Sequence, residues 1–280
     1  CAGWLLLFLL SDRDLLMTRH MLLNNIDHQD LRVLHQFAGN FGDAVAVLPA
    51  FALEWTELQK NYPILLRAIA DQPAQQPRWQ AVVLLGFAAD ENLFLTTTPT
   101  PHPTANGWDA RYIPLAAEKG PFLIGFQRPG SMLAAEQQQP DPRDAVVHID
   151  VEHPKVTRAA AGLPLFLPQG GASPYLQYIS GRLQQIQHSL ALAPVLFQAL
   201  EQLDLIEPLN IEFSLENGEK HRLTGNYSIS SARLAALSGD DLQRLNQSGF
   251  LPLLYAQLSS LSNIQQLVDR KNQRLRQQQL

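Results

Sequence analysis

The chain has 280 residues, of which 46% are hydrophobic and 17% are charged, and its net charge is −5. That size and apolar content allow one large domain or two small ones, and the acidic balance gives no basic surface for a nucleic-acid backbone. A single cysteine, Cys1, excludes an intrachain disulfide and a cysteine-rich zinc site, so a reducing cytoplasm is the expected location.

The N-terminus begins with that cysteine and carries an apolar run at residues 4–10, far shorter than the roughly 20 residues of a membrane-spanning helix. One interpretation is a processed lipoprotein with a lipid on its first residue. The other is translated upstream sequence with the natural start at Met17 or Met21. We favour the second, because a hydrophilic tether usually follows a lipid anchor.

We therefore predict a non-native or disordered extension at residues 1–20, one domain over 21–272 and a tail at 273–280. The tail belongs to a Gln-rich end that begins at Arg270 and is typical of a fraying, solvated terminus.

Short apolar runs bounded by proline, glycine or polar residues predict strands in the first half of the chain. They lie at residues 30–34, 44–48, 64–68, 81–87, 92–96, 121–126 and 145–151. Between the runs at 44–48 and 64–68, apolar residues recur at spacings of four and three, at Phe51, Trp55 and Leu58. This spacing predicts a turn or two of helix over residues 50–60.

The second half is dominated by helical periodicity. Ser173 and Pro174 are a favourable cap and first helical residue, and apolar residues then recur every three or four positions as far as Leu200. This pattern predicts a helix at about 174–203. Pro194 disfavours a coiled coil, because proline removes a backbone donor, so we expect the helix to pack across a sheet.

Alternating apolar residues on both sides of Asn217-Gly218 predict a β-hairpin over residues 211–229. A two-residue turn would place the apolar face of one strand opposite the polar face of the other. A three-residue loop over residues 216–218 instead pairs Phe213 with His221 and Ile211 with Leu223. We therefore predict a bulged turn in which Gly218 adopts a positive φ.

Two further helices are predicted at residues 240–247 and 251–269, the second with a broad apolar face. Strands followed by helices indicate an α+β fold. It consists of a mainly antiparallel sheet from the N-terminal half plus the hairpin at 211–229, packed by the long helix and the C-terminal helices.

A cluster of rings and charges, Trp108, Asp109, Arg111 and Tyr112, follows a Pro/Thr-rich loop. Such residues can form a ligand-binding surface, with rings for stacking, a guanidinium for a carboxylate and a carboxylate for an amine. The alternative, which is commoner in proteins, is an Asp109–Arg111 ion pair with the rings in the core.

His148 and Asp150 alternate on a predicted strand, so their side chains share a face, as two ligands of a non-haem iron site would. His188 or His221 would have to supply the distal ligand. The alternative is a strand-end histidine followed by a turn aspartate. Our main expectation is that the protein uses no metal or cofactor.

Several stretches resemble the SapC family of bacterial proteins, in the same order as in the family and over roughly residues 28–272. They read NYPILL (61–66), LLGFAADENLFL (84–95), WDARYIPLAAEKGPFLIGF (108–126), HIDVEHPKV (148–156), GLPLF (162–166), HRLTGNYSIS (221–230) and SGFLPLLYAQLSSLSNIQQLVDRKN (248–272). The similarity is strongest to the branch found beside genes for flavin-dependent tryptophan halogenases and outer-membrane receptors.

The resemblance implies labels of peptide transport or surface-layer secretion but no established reaction, and this sequence has no permease-like spans. Compared with the family pattern, the chain inserts the Pro/Thr-rich segment 97–106.

Three functional hypotheses follow. The first is a soluble, non-enzymatic accessory protein that binds a peptide, an amino-acid-like ligand or a protein partner around residues 108–112. The second is an oxygenase-like enzyme that uses His148 and Asp150. The third is a non-catalytic subunit of a halogenase-containing assembly, in contact through the C-terminal helix if that helix is not covered.

Overall fold

Antiparallel pairing joins the strands of the computed structural model, which describes residues 19–69, 79–96, 106–126 and 145–278. The predicted N-terminal extension therefore lies almost wholly outside the described residues, and so does most of the Pro/Thr-rich segment. The strands are β1 (His20–Leu22), β2 (Arg32–Val33), β3 (Val47–Pro49), β4 (Ile64–Ala68), β5 (Trp79–Leu84), β6 (Phe122–Phe126), β7 (Ala145–Asp150), β8 (Val156–Thr157), β9 (Leu163–Pro164), β10 (Ile206–Ser214) and β11 (Lys220–Ile229).

The helices are α1 (Trp55–Leu58), α2 (Leu115–Glu118), α3 (Pro174–Gln202), α4 (Ser231–Ala235), α5 (Gly239–Gln247), α6 (Leu251–Ser260) and α7 (Asn263–Gln278). A 3₁₀ turn, Ala52–Glu54, leads into α1. Together with the antiparallel sheets these helices confirm the predicted α+β class.

Three sheets organise the described residues. The largest has five strands in the order β10-β11-β4-β5-β3, and the two others have the orders β1-β7-β6 and β8-β2-β9. Pro49 ends β3 at one edge of the five-stranded sheet, which is where a residue without a backbone donor is tolerated.

The predicted hairpin is confirmed in its register. Phe213 pairs with His221 and Ile211 with Leu223, and Gly218 closes the turn with a φ of 88°. The apolar pattern of the two strands therefore predicted the loop length correctly. A shift of the register by one residue would have moved every side chain of one strand to the opposite face of the sheet.

Helix α3 connects two hydrophobic cores. Its first half, from Leu176 to Ile186, packs against the three-stranded sheet that contains β6 and β7, and its second half, around Leu196 and Leu200, packs in the core of the five-stranded sheet. As predicted, Ser173 caps the helix by accepting a bond from the Leu176 amide at 3.1 Å. Between the two cores, the Ser189 hydroxyl accepts the Leu53 amide at 3.2 Å.

Two predicted elements were wrong in detail. Residues 92–96 form a turn instead of a strand, because the Asn92 carboxamide accepts the Phe94 amide at 3.0 Å and thereby closes a local loop. The helix predicted over 251–269 breaks between α6 and α7. Serines at the break bond to their own chain, with the Ser262 hydroxyl donating to the Ser259 carbonyl at 2.9 Å, and so compete with the helical bonds.

Helix α7 continues to Gln278, beyond the point where a solvated end was predicted. Its basic side chains bind the rest of the fold. Arg274 donates to the Leu95 carbonyl at 2.6 Å, and Lys271 pairs with Glu91 at 2.6 Å. Among the residues described, no helix has both the length and the apolarity that crossing a bilayer requires.

A buried glutamine attaches α6 to the large sheet. The Gln257 amide group donates to the Ile64 carbonyl at 2.8 Å and accepts the Ile229 amide at 3.1 Å. We expect Gln257→Leu to lower the free energy of unfolding by about 2 kcal/mol, since both backbone groups lose this partner away from water. Urea denaturation would measure the loss, and Gln266→Leu, at an exposed position of α7, should stay within about 0.5 kcal/mol of the wild type.

Candidate functional site

The structure separates the four residues of the predicted ligand-binding cluster. Trp108 is buried, and its indole nitrogen donates to the Tyr62 hydroxyl at 2.7 Å. Its ring also packs edge to face on Phe37, with 5.3 Å between the ring centres. The indole is therefore part of the core and has no open face on which a ligand could stack.

The predicted alternative, an Asp109–Arg111 ion pair, does not form either. Asp109 pairs with Arg270 of α7 at 2.7 Å, and its carbonyl accepts a second bond from the same guanidinium at 2.9 Å. Arg111 is exposed, and among the described residues it has no hydrogen-bond or ion-pair partner.

Tyr112 contacts the buried carboxylate of Glu54, which was not predicted as a site residue. Its hydroxyl donates to Glu54 Oε2 at 3.0 Å, and the same oxygen accepts the Leu115 amide at 2.8 Å. The other oxygen accepts the Phe51 amide at 3.0 Å. Burial raises the pKa of Glu54 to about 7, although these bonds and the nearby Arg182 act in the opposite direction.

A second buried carboxylate, Glu118 at the end of α2, lies close by. The Tyr178 hydroxyl donates to Glu118 Oε1 at 2.8 Å, and His35 Nε2 lies 3.0 Å from the same oxygen. Glu118 Oε2 is buried and has no hydrogen-bond partner among the described residues. Among the described residues, Oε1 of this carboxylate therefore has hydrogen-bond partners and Oε2 has none.

Arg182 lies near enough to both carboxylates to interact with their charges. It lies one turn after Tyr178 on α3, and its guanidinium stands 4.7 Å from the centre of the Tyr178 ring. Its charge also favours the ionised form of Glu54, as noted above. We call Glu54, Tyr112, Glu118, Tyr178 and Arg182 the carboxylate cluster.

The two hydroxyl groups of the carboxylate cluster are held neutral. Burial, and then the negative charge of Glu54, raise the pKa of Tyr112. Burial, and then the bond to Glu118, raise the pKa of Tyr178. Both tyrosines therefore remain hydrogen-bond donors at physiological pH and do not act as bases.

Tyr178 is the most exposed member, with 43% of its area exposed, while Arg182 and Tyr112 are half-buried. Glu54 and Glu118 are only 2% and 4% exposed. The cluster therefore presents an exposed ring with a half-buried cation beside it and two buried carboxylates.

A buried ion pair borders the carboxylate cluster. Lys155 Nζ lies 2.8 Å from Asp43 Oδ1 and 4.2 Å from the centre of the Phe37 ring. Burial lowers the pKa of Lys155, while Asp43 and then Glu118 act to raise it. The ammonium is therefore close enough to sense Glu118, but it is paired with another carboxylate.

The predicted metal ligands are not members of the carboxylate cluster. His148 and Asp150 alternate on β7, as expected, but Asp150 accepts the backbone amides of Arg19 at 3.0 Å and Glu152 at 3.1 Å. His221 stacks on Phe213 in the hairpin. Within the ranges that the structure describes, no three side chains of His, Cys, Asp or Glu converge as a metal site requires.

The C-terminal helix proposed as a subunit contact is mostly covered. Leu253 and Leu254 of α6 and Leu267 of α7 are buried in the core of the five-stranded sheet, and Val268 of α7 is also buried. Tyr255 remains 53% exposed.

Four members of the carboxylate cluster were missed from the sequence because each has an ordinary local explanation. Glu54 occupies a polar position of a short amphipathic turn, and Glu118 precedes Lys119 and Gly120 at a helix end. The spacing of Tyr178 and Arg182 on α3 is the one local signal, since residues four apart share a face of a helix.

Comparison with known proteins gives one match. The sequence model of the SapC family matches residues 23–267. No curated protein and no solved structure matches the chain.

Proposed function

The chain belongs to the SapC family, and we propose that it is a non-catalytic binding protein for a peptide or an amino-acid-like ligand. The observation that carries the proposal is the carboxylate cluster, in which buried Glu54 and Glu118 lie beside exposed Tyr178 and half-buried Arg182. Carboxylates, neutral hydroxyls and a guanidinium are the groups that recognise amines, carbonyls and carboxylates.

The state of Glu54 supports binding rather than turnover. Both of its oxygens already accept bonds from Phe51, Leu115 and Tyr112. A general base needs a free oxygen within hydrogen-bond reach of the proton that it removes. Glu54 therefore serves to orient Tyr112, whose raised pKa keeps its hydroxyl neutral.

Two guanidinium groups are available for the acidic end of such a ligand. Arg111 precedes Tyr112 in the chain and has no partner among the described residues, while Arg182 donates to Gln185 at 3.1 Å on its own helix. Either can form the paired bonds that an arginine makes with a carboxylate. Of the four residues predicted from the sequence, Arg111 and Tyr112 therefore remain in the proposed site.

A thermal-shift screen of amino acids and short peptides tests the proposal. A ligand at one hundred times its Kd should stabilise the protein by about 2.7 kcal/mol. Arg182→Gln should weaken binding of that ligand by roughly tenfold or more, because a charged hydrogen bond contributes about 1.5–3 kcal/mol.

Arg222→Gln is the matched control, since Arg222 lies in the hairpin with its side chain 63% exposed and pairs with Glu212 at 3.2 Å. It should bind the ligand as the wild type does. A panel in which nothing stabilises the protein would contradict the proposal, as would equal binding by the two arginine variants.

A further inference from the structure

Glu118 is a buried carboxylate that the fold satisfies on one side only. It is 4% exposed, and Oε1 receives the Tyr178 hydroxyl at 2.8 Å with His35 Nε2 at 3.0 Å. Oε2 is shielded from solvent and has no partner among the described residues. Burying an unpartnered carboxylate oxygen costs free energy, so such a group calls for a donor that is not part of the described fold.

The neighbouring cations do not supply that donor. Lys155 is paired with Asp43 at 2.8 Å. Arg182 bonds to Gln185 and lies over the Tyr178 ring. In the described part of the chain, neither cation forms an ion pair with Glu118.

Oε2 is the oxygen of Glu118 that is left for a charged donor. The Tyr178 hydroxyl and His35 Nε2 both lie at Oε1, at 2.8 and 3.0 Å. The Tyr178 side chain, which bonds to the carboxylate, is 43% exposed. Exposed side chains change rotamer within nanoseconds, and a rotation of Tyr178 is the movement that would admit a ligand to Glu118.

We propose that Glu118 binds the free ammonium group of the ligand, which is either an α-amino acid or the N-terminal residue of a peptide. This inference rests on the proposed function. The ammonium donates to Oε2 and stays beside the Tyr178 hydroxyl. The acidic end of the ligand, or its first carbonyl, then faces the guanidinium of Arg182. Recognition therefore requires an unblocked amine, and the amine determines which end of a peptide enters.

A comparison of blocked and unblocked ligands tests this. Isothermal titration calorimetry would be run on the whole protein with the amides of the twenty amino acids and with the N-acetyl derivatives of the same amides. We expect binding in the unblocked series and at least about tenfold weaker binding after acetylation, because acetylation removes the charge and two of the donors.

The matching variant is Glu118→Gln, which keeps an acceptor for Tyr178 and removes the charge. It should bind the unblocked amides at least about tenfold more weakly than the wild type. Glu57→Gln is the control, since Glu57 is exposed and pairs with Lys60 at 2.6 Å, and it should bind as the wild type does. If Glu118→Gln does not fold, the acetylation comparison on the wild-type protein decides the question.

The outcomes separate this inference from the proposed function. If acetylated and free amides bind equally, or if Glu118→Gln binds like the wild type, the ammonium site is refuted although a binding protein remains. If no amino acid, amide or peptide binds at all, the proposed function is refuted as well. Dipeptides that bind more tightly than single amino acids would assign the site to a peptide N-terminus.

Discussion

The substitution Gly107→Ala is expected to lower the free energy of unfolding by at least about 3 kcal/mol. Gly107 has a φ of 88°, and a Cβ placed on it would lie 2.1 Å from the Phe37 carbonyl oxygen. The same two chain segments are joined by a hydrogen bond, in which the Phe37 amide donates to the Asn106 carbonyl at 2.6 Å. Because the atom in the way belongs to the backbone, an alanine must move one of two chain segments.

Gly120→Ala is a matched control for this prediction. Gly120 also has a positive φ, 51°, but a Cβ on it would meet nothing within 4 Å. Gly120→Ala should therefore lower the free energy of unfolding only by the cost of placing an alanine at a positive φ, about 1 kcal/mol. Urea denaturation of both variants gives the comparison, and equal losses would mean that the approach of Phe37 to Gly107 has no energetic consequence.

The stability of the protein is expected to fall by about 3 kcal/mol as the pH rises from 4.5 to 7, on account of Glu54 alone. Burial raises the pKa of Glu54 from 4.5 to about 7. Below pH 4.5 the carboxyl is protonated in both states. Between the two values the unfolded chain loses the proton while the folded chain keeps it, so the free energy of unfolding declines until the folded pKa is passed.

Glu54→Gln should remove this component of the pH dependence. At pH 4.5 the variant should be less stable than the wild type by about 2 kcal/mol, because one amide oxygen cannot accept bonds from Phe51, Leu115 and Tyr112 together. By pH 8 the wild type should have lost about 3 kcal/mol, so the difference should change sign and the variant should be the more stable by about 1 kcal/mol.

Denaturation curves across this pH range measure the effect, and Glu57→Gln provides the control. Glu57 is three residues away and exposed, so its variant should follow the wild-type pH profile. Parallel profiles for Glu54→Gln and the wild type would show that Glu54 titrates at its ordinary pKa.

Much of the fold was predictable from local patterns. The range of α3, its Ser173 cap and the register that pairs Phe213 with His221 follow from periodicity and turn chemistry, which involve residues close together in the chain. The strand at residues 64–68 was predicted with its bounds, because an apolar run of that length fits a buried strand.

The candidate site was predictable only in part. Tyr112, which was predicted from the sequence, bonds to Glu54. Trp108 belongs to the core, and Asp109 binds Arg270, which is 161 residues further along the chain. No local pattern distinguishes an aromatic residue that packs from one that binds a ligand, since both occur beside polar residues.

The sequence by itself determined the α+β class, the long helix and the hairpin, because each depends on apolar spacing within a short segment. Only the tertiary structure decided which carboxylates are buried. Glu54 and Tyr112 are 58 residues apart, and Glu118 and Tyr178 are 60 apart. Their properties arise when α3, α2 and the 3₁₀ turn pack together, since burial and unpartnered oxygens depend on neighbours that the local sequence does not contain.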